Sequence, residues 1–326
     1  MRFEIEASIF RIIAMKKLLF VYNPFSGKGA VKKYLSDILS FFTSAGYDVT
    51  VHSTAFARDG QEYIQTHAME YDLIVCSGGD GMLHELMNGV VQSNTHTPCG
   101  YIPTGTVNDF ASSMQISMQI PKDPIEAAKM VVSENFKTID LGKFNQEYFA
   151  YVAMFGMFSD VSYVTNQKLK NMMGTPAYLM QILKSMDLKH FNAASRYMKI
   201  SYNNKFIEDN FIMGLIGNIH SVAGMKQLSP PKSDMQDRLL DGMFIRTPKT
   251  ILELERIKLS LINQTYDCDN ITCMKSAYFT ITAKEDIPWT LDGEYGGSYS
   301  AASIYVKPGA VQIAVLAEPP LDIPGK

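Results

Sequence analysis

The sequence predicts an α/β protein: an N-terminal doubly wound α/β domain followed by a C-terminal β-rich domain, an antiparallel sandwich. Three observations carry this. Strand-like and helix-like patterns alternate over the first 135 residues, which implies parallel strands joined by crossover helices. From Phe136 onward the pattern turns β-rich, with polar turns between strand-like runs. The 326 residues suffice for two cores of ordinary size. The domains are expected at 1–135 and 136–309, with 310–326 packing back on the first.

Each element has its own signal. Lys17–Tyr22 is apolar and reads as a buried strand. In Ala30–Ala45, Val31, Leu35, Ile38, Leu39 and Phe42 fall on one helical face. Asp48–Ser53 and Tyr71–Cys76 read as strands, the latter closed by Gly78-Gly79. Met82–Ser93 reads as a helix, Gly100–Pro103 as a short strand and Asp123–Ser133 as a helix.

In the second half, Phe136–Asn145 and Tyr148–Phe155 read as strands around a polar turn. Arg196–Tyr202 and Phe206–Leu215 flank Asn203-Asn204 as a hairpin. Ile271–Ala283 alternates, and Tyr305–Val306 with Val311–Val315 flank Pro308-Gly309 as a late hairpin. Two helical segments interrupt this domain, Gln167–Leu188 and Thr247–Asn263. The second begins with Thr at a cap position and Pro248 behind it.

Composition narrows the function. Hydrophobic residues make up 46% and charged residues 19%, as in folded globular chains. A net charge of -3 offers no basic field for nucleic acid, so no nucleic-acid partner is expected. Cys76, Cys99, Cys268 and Cys273 form no CxxC pair and read as reduced thiols of a cytoplasmic protein. No apolar run is long enough to cross a bilayer. Met15-Lys16-Lys17 reads as a start running into the first strand, leaving 1–14 as an amphipathic extension or an upstream start. Acidic residues there argue against a secretory signal.

The chemistry is concentrated in turns after strands. Ser77-Gly78-Gly79-Asp80-Gly81 lies between a buried strand and a helix. Its glycines let backbone approach a phosphate, and the helix N-terminus presents free N–H groups to it. The spacing is neither GxGxxG nor a Walker A loop. Asp80 beside a phosphate makes sense if it reaches Mg²⁺; otherwise the segment is only a tight turn.

Asn23-Pro24-Phe25-Ser26-Gly27-Lys28-Gly29 follows the first strand with further anion-binding groups. Pro103-Thr104-Gly105-Thr106-Val107-Asn108-Asp109-Phe110 follows the fourth, where its polar residues serve a helix cap as readily as a nucleotide. Three such turns at one end of a parallel sheet are more than an accident of loops. In the second domain Asp292-Gly293-Glu294 carries two carboxylates; in an extended segment both face the same side.

Taken together, NPFSGKG, GGDGMLHELMNGV, PTGTVNDFASSM and LDGEYGG resemble the diacylglycerol kinase catalytic family, with bacterial soluble diacylglycerol kinases nearest and sphingosine and ceramide kinases as relatives. The match in order and spacing runs from about Met15 to the end. It implies a nucleotide-binding first domain holding ATP at Asn23, Pro24, Ser26, Gly27, Thr54, Gly78, Gly79, Asp80, Gly81, Glu85, Gly105 and Thr106.

The resemblance implies a catalytic carboxylate within Asp292-Gly293-Glu294, with Asp292 favoured as the proton acceptor and Glu294 second. It implies a structural Mg²⁺ loop at Pro231–Leu239, with Asp234, Asp237 and Leu239 as ligands. The chain departs from the family at Met82 (usually Thr), His84 (usually Asn) and Arg238 (usually Gly).

A lipid substrate at the membrane surface, anionic phospholipid and a second copy of the chain are the expected partners. The protein is then cytoplasmic and peripherally membrane-associated. Gln167–His190, rich in Lys and Met, is the candidate contact, with helices covering the β domain as the plainer reading. Trp289, Tyr295 and Tyr299 read either as an apolar wall or as core, and His220 as a loop or core residue. Two other functions fit parts of the pattern: an NAD-kinase-like enzyme with a soluble substrate, and a non-catalytic membrane or nucleotide sensor.

Overall fold

The computed structural model describes residues 15–105, 108, 120–156, 188, 194–217, 221–222, 225–226, 236–263 and 265–317. Thr106, Asp234, His220 and nearly all of Gln167–His190 lie outside the described residues. The chain forms two compact units, residues 1–138 with 311–326, and residues 139–310.

In the first unit, β1 (Lys16–Tyr22), α1 (Ala30–Ser44), β2 (Tyr47–Ser53), α2 (Asp59–His67), β3 (Leu73–Gly78), α3 (Asp80–Gln92), β4 (Cys99–Pro103) and α4 (Pro124–Val132) follow in order. The strands are parallel in the order β4-β3-β1-β2. Leu18, Leu19, Phe20 and Val21 are fully buried, which explains the unbroken apolar run of β1. The chain moves outward from β1 to β2 and then back past β1 to β3. With right-handed crossovers this places α1 on one face and α2 and α3 on the other, a doubly wound arrangement. Packing agrees: α1 touches α4, and α2 touches α3.

Helix α2 has no counterpart in the sequence reading. Its buried residues are Gly60, Gln61 and Ile64, so it lacks the apolar stripe that periodicity detects. Gly89 of α3 faces Ile64 closely, and small residues on both helices allow the contact.

The second unit is built from β5 (Phe136–Phe144), β6 (Glu147–Phe149), β7 (Val152–Gly156), β8 (Arg196–Tyr202), β9 (Lys205–Gly217), β12 (Leu240–Arg246), α5 (Ile251–Asn263), β13 (Ile271–Ser276), β14 (Tyr278–Leu291) and most of β15 (Glu294–Ala314). The short strands β10 (Ser221–Val222) and β11 (Met225–Lys226) pair only with each other among the described residues. Pairing is antiparallel along β13-β12-β9-β7-β14-β15, with β8 joining β14 and β9.

The core of this unit is aromatic. Trp289 is 1% exposed, with Phe144 and Phe155 rings at 4.7 and 4.9 Å. It is therefore core, whereas Tyr295 and Tyr299 are exposed.

Three sequence expectations fail here. The helix read over Thr247–Asn263 begins only at Ile251, where Thr250 and not Thr247 caps it, its hydroxyl oxygen accepting the Glu253 N–H at 3.2 Å. Tyr148–Phe155 is not one strand, because it breaks at Ala150-Tyr151. Nor do Pro308-Gly309 turn a hairpin, since β15 runs through them. Gly309, at φ +57, donates its N–H to the Asp140 carboxylate at 2.8 Å, so a left-handed residue is absorbed inside a strand. The end of β15 belongs to the first unit, where Ile313 pairs in parallel with Cys99 of β4.

Candidate active site

In the first unit three turns meet at the carboxyl ends of parallel strands, where open α/β sheets bind ligands. After β1, Asn23 donates its N–H to the Ser77 carbonyl at 3.1 Å, and its side-chain oxygen accepts the Phe25 N–H at 2.8 Å. Gly27 has φ +54, and a Cβ there would overlap the Thr104 carbonyl oxygen. Only glycine meets both demands.

After β3, the N-cap of α3 is Gly79, which has no side chain of its own to cap the helix. An uncapped N-terminus leaves donors and a positive dipole end for an anion. Asp80 stands in the first helical turn. After β4, the N–H groups of Thr104 and Gly105 both donate to the Gly78 carbonyl, at 2.8 and 3.0 Å. Gly105 and Asn108 exchange further bonds: Gly105 N–H to Oδ1 at 3.0 Å, and Nδ2 to the Gly105 carbonyl at 2.9 Å.

A Cβ on Gly105 would overlap Gly79 Cα, while one on Gly79 would lie 3.8 Å from Ser26 Oγ and 4.0 Å from Asn108 Oδ1. Ser26, Gly79, Gly105 and Asn108 therefore converge on one place. Asn108 belongs to the polar turn after β4 that reads as cap or nucleotide contact, but is not one of the positions the family resemblance implies; an Asn three positions after a turn glycine is its local signal.

Tyr101 supports the turns from beneath, its hydroxyl 3.3 Å from the Gly78 carbonyl and 3.2 Å from Asn108 Oδ1. Burial, reinforced by the negative charge of Asp80, pushes its phenol well up, so it stays a neutral donor. Ser77 and Thr104 share a buried hydroxyl–hydroxyl bond of 3.1 Å.

The other nucleotide candidates lie further out. Thr54 is buried and donates its N–H and hydroxyl to the Tyr22 carbonyl, at 3.0 and 3.4 Å. Glu85 accepts the Arg58 N–H at 3.1 Å, at the N-terminus of α2, so its carboxylate joins α3 to α2. Burial raises its pKa, opposed by backbone N–H groups from Arg58, Gln61 and Gly60. Pro24 and Gly81 are half-buried in their turns. Met82 is buried against Gly78 and Gly60. His84 is buried, with Asn88 Nδ2 3.3 Å from its ring nitrogen.

In the second unit, Asp292-Gly293 is the two-residue loop joining Leu291 to Glu294. Positive φ at both positions, +51 and +92, is the pattern of a type I′ hairpin. The segment is thus a tight turn and not an extended strand. Asp292 is 4% exposed, and its carboxylate accepts N–H groups from Ala150 at 2.7 Å and from Tyr151 and Val152 at 3.0 Å each. These amides explain the break between β6 and β7. Glu294 is exposed.

The loop before β12 holds Asp237 and Leu239. Asp237 Oδ1 accepts the Leu239 N–H at 2.9 Å, and Oδ2 lies 2.9 Å from the Lys275 ammonium. Arg238 has φ +59, the conformation that makes glycine usual at this position. Its N–H donates to Asp140 Oδ2 at 2.9 Å.

The sequence model of the diacylglycerol kinase catalytic domain matches residues 17–144. A diacylglycerol kinase of Bacillus subtilis (strain 168) is 31% identical over 284 residues, covering 87% of this chain and 91% of that protein. One from Staphylococcus carnosus (strain TM300) is 30% identical over 297 residues, covering 90% and 93%. A crystal structure of a diacylglycerol kinase from Bacillus anthracis str. Sterne shares the fold, with a TM-score of 0.76 over 93% of this chain and 98% of that one at 24% identity. No helix among the described residues is long and apolar enough to cross a membrane. On this similarity, running almost end to end, the chain belongs to the diacylglycerol kinase family, and its role is that of a lipid kinase.

Proposed function

We propose that the protein transfers the γ-phosphate of ATP to a hydroxyl of diacylglycerol or a closely related lipid, giving phosphatidic acid or its analogue. The observation that carries this is the convergence of Ser26, Gly79, Gly105 and Asn108 beside an uncapped helix N-terminus, in a chain of this family. Backbone donors there suit a polyphosphate. A carboxylate in the same first turn would oppose a bare polyphosphate but fits a magnesium nucleotide, so Asp80 is the residue that would hold the ion. Bound Mg²⁺ supplies charge neutralisation on the phosphates. The chain's own part is to position: the three turns fix the phosphates, and phosphoryl transfer depends mainly on such positioning.

The lipid hydroxyl must lose its proton as the new P–O bond forms, and Asp292 and Glu294 are the assigned carboxylates. Three backbone amides already occupy Asp292, which suits an anchor that holds the hairpin. Exposed Glu294, two residues on, is then the acceptor of choice. The lipid is met at a membrane surface, where anionic phospholipid favours binding.

The test is transfer of labelled γ-phosphate to diacylglycerol, monoacylglycerol, sphingosine, ceramide and undecaprenol in mixed micelles, with NAD as the soluble control. A labelled lipid is expected. Label on NAD alone, or on nothing despite ATP binding, would sink the reading. Glu294→Gln should lower turnover about 10²–10⁴-fold with little change in nucleotide affinity; full activity would return the acceptor role to Asp292.

A further inference from the structure

The family resemblance expects a structural magnesium ion in the loop Pro231–Leu239, with Asp234, Asp237 and Leu239 as ligands, of which Asp237 and Leu239 are described. The described residues do not fit that ion. Each oxygen of Asp237 already has a partner, Oδ1 the Leu239 N–H at 2.9 Å and Oδ2 a full positive charge, the Lys275 ammonium, at 2.9 Å. Lys275 sits on β13 directly across from Asp241 of β12. Its ammonium is also 3.5 Å from Asp241 Oδ1, on a residue only 5% exposed. One cation thus lies between two carboxylates, one from the loop and one from the strand the loop leads into.

Magnesium would need the same carboxylate oxygens at about 2.0–2.1 Å in near-octahedral geometry. It would have to displace the ammonium, or stand beside it with cation facing cation. Among the described residues no group of three His, Cys, Asp or Glu side chains could hold a metal. The loop is held by other means too. The Arg238 N–H donates to Asp140 Oδ2 at 2.9 Å, and the other Asp140 oxygen takes the Gly309 N–H at 2.8 Å. A loop-ordering metal would duplicate work that Lys275 and Asp140 already perform.

We propose that Lys275 is a built-in replacement for the structural metal: its ammonium ties the loop at 236–239 to β12 and β13 by bridging Asp237 and Asp241. The divalent-ion requirement then resides with the nucleotide alone. Lys275 is a positioning residue here, acting on loop geometry and not on reacting atoms.

The experiment uses the full chain without nucleotide. Bound Mn²⁺ is counted by electron paramagnetic resonance, and Tm is followed with EDTA or excess Mg²⁺. Wild type should retain no Mn²⁺ that depends on Asp237, and its Tm should ignore Mg²⁺. Lys275→Ala leaves two carboxylates uncompensated, so its Tm in EDTA should fall by roughly 2–4 °C, and Mg²⁺ should restore it. Lys275→Arg should behave as wild type.

The idea is overturned if wild type holds an Mn²⁺ ion that Asp237→Asn removes and Asp80→Asn does not. It is equally overturned if Lys275→Ala keeps the wild-type Tm in EDTA. Should Lys275→Ala fail to fold, the wild-type and Asp237→Asn titrations decide alone. None of these readouts depends on kinase activity, so the outcome is separable from that of the proposed reaction.

Discussion

The carboxylate of Asp292 accepts the backbone N–H of Ala150 at 2.7 Å, across 142 positions of sequence. With Tyr151 and Val152 donating to the same group, the hairpin tip is bound to the break between β6 and β7. Removing the carboxylate strands three N–H groups in a buried setting. Hydrogen bonds to charged groups contribute about 1.5–3 kcal/mol each, and an orphaned buried donor costs about 1–3 kcal/mol. Asp292→Ala should therefore lose at least about 3 kcal/mol in chemical denaturation. Asp292→Asn keeps one acceptor oxygen and should fall between. A stability loss below about 1 kcal/mol for the alanine variant would refute the anchoring role.

A second expectation concerns the meeting point of the three turns. A Cβ on Gly105 would meet both Asn108 Oδ1 and the Gly79 backbone, and the backbone cannot swing away. Gly105→Ala must push the β4 turn off the N-terminus of α3. The three turns would then no longer converge, and ATP affinity measured by calorimetry should drop at least about tenfold. An equal affinity would mean that these turns do not hold the nucleotide.

How far the sequence could be read depended on the range of the interactions. Strands β1, β3 and β4 were legible because strands buried on both faces are apolar throughout. The glycine turns were legible because glycine among polar residues just after a buried strand is itself the signal, although the close neighbours that require it, Thr104 at Gly27 and Gly79 at Gly105, are distant in sequence. The unread features answer to distant partners. Nothing near Ala150 announces that its amide belongs to Asp292, so Tyr148–Phe155 looked like one strand. Pro308-Gly309 looked like a turn because Asp140, 169 positions away from Gly309, is invisible to a local pattern. Helix α2 escaped because Gly60 and Gln61 supply two of its buried positions.

Arg238 offers a gain of stability. It occupies φ +59, where an L side chain is strained and glycine is not. Its backbone N–H bond to Asp140 survives substitution by glycine. Relief of the strain is worth about 1–2 kcal/mol, offset in part by the greater freedom of unfolded glycine. Arg238→Gly should thus raise Tm by about 1–3 °C in a thermal melt. A lower Tm would show that the arginine side chain contributes more than its backbone costs.

Glu85 makes stability depend on pH in a stated direction. Burial raises its pKa above the ordinary 4.5, against the pull of the backbone amides at the start of α2. The folded protein therefore binds this proton more tightly than the unfolded chain does. The contribution to stability is complete below the unfolded pKa and fades as pH climbs through the raised folded value. Glutamine at this position can still accept the Arg58 N–H but does not titrate. The Tm difference, Glu85→Gln minus wild type, should accordingly be more positive at about pH 7 than at about pH 4. A difference that stays constant across this range would mean that the carboxylate ionises in the fold as easily as in water. A difference that shrinks with rising pH would mean that the α2 amides outweigh burial, reversing the sign argued here.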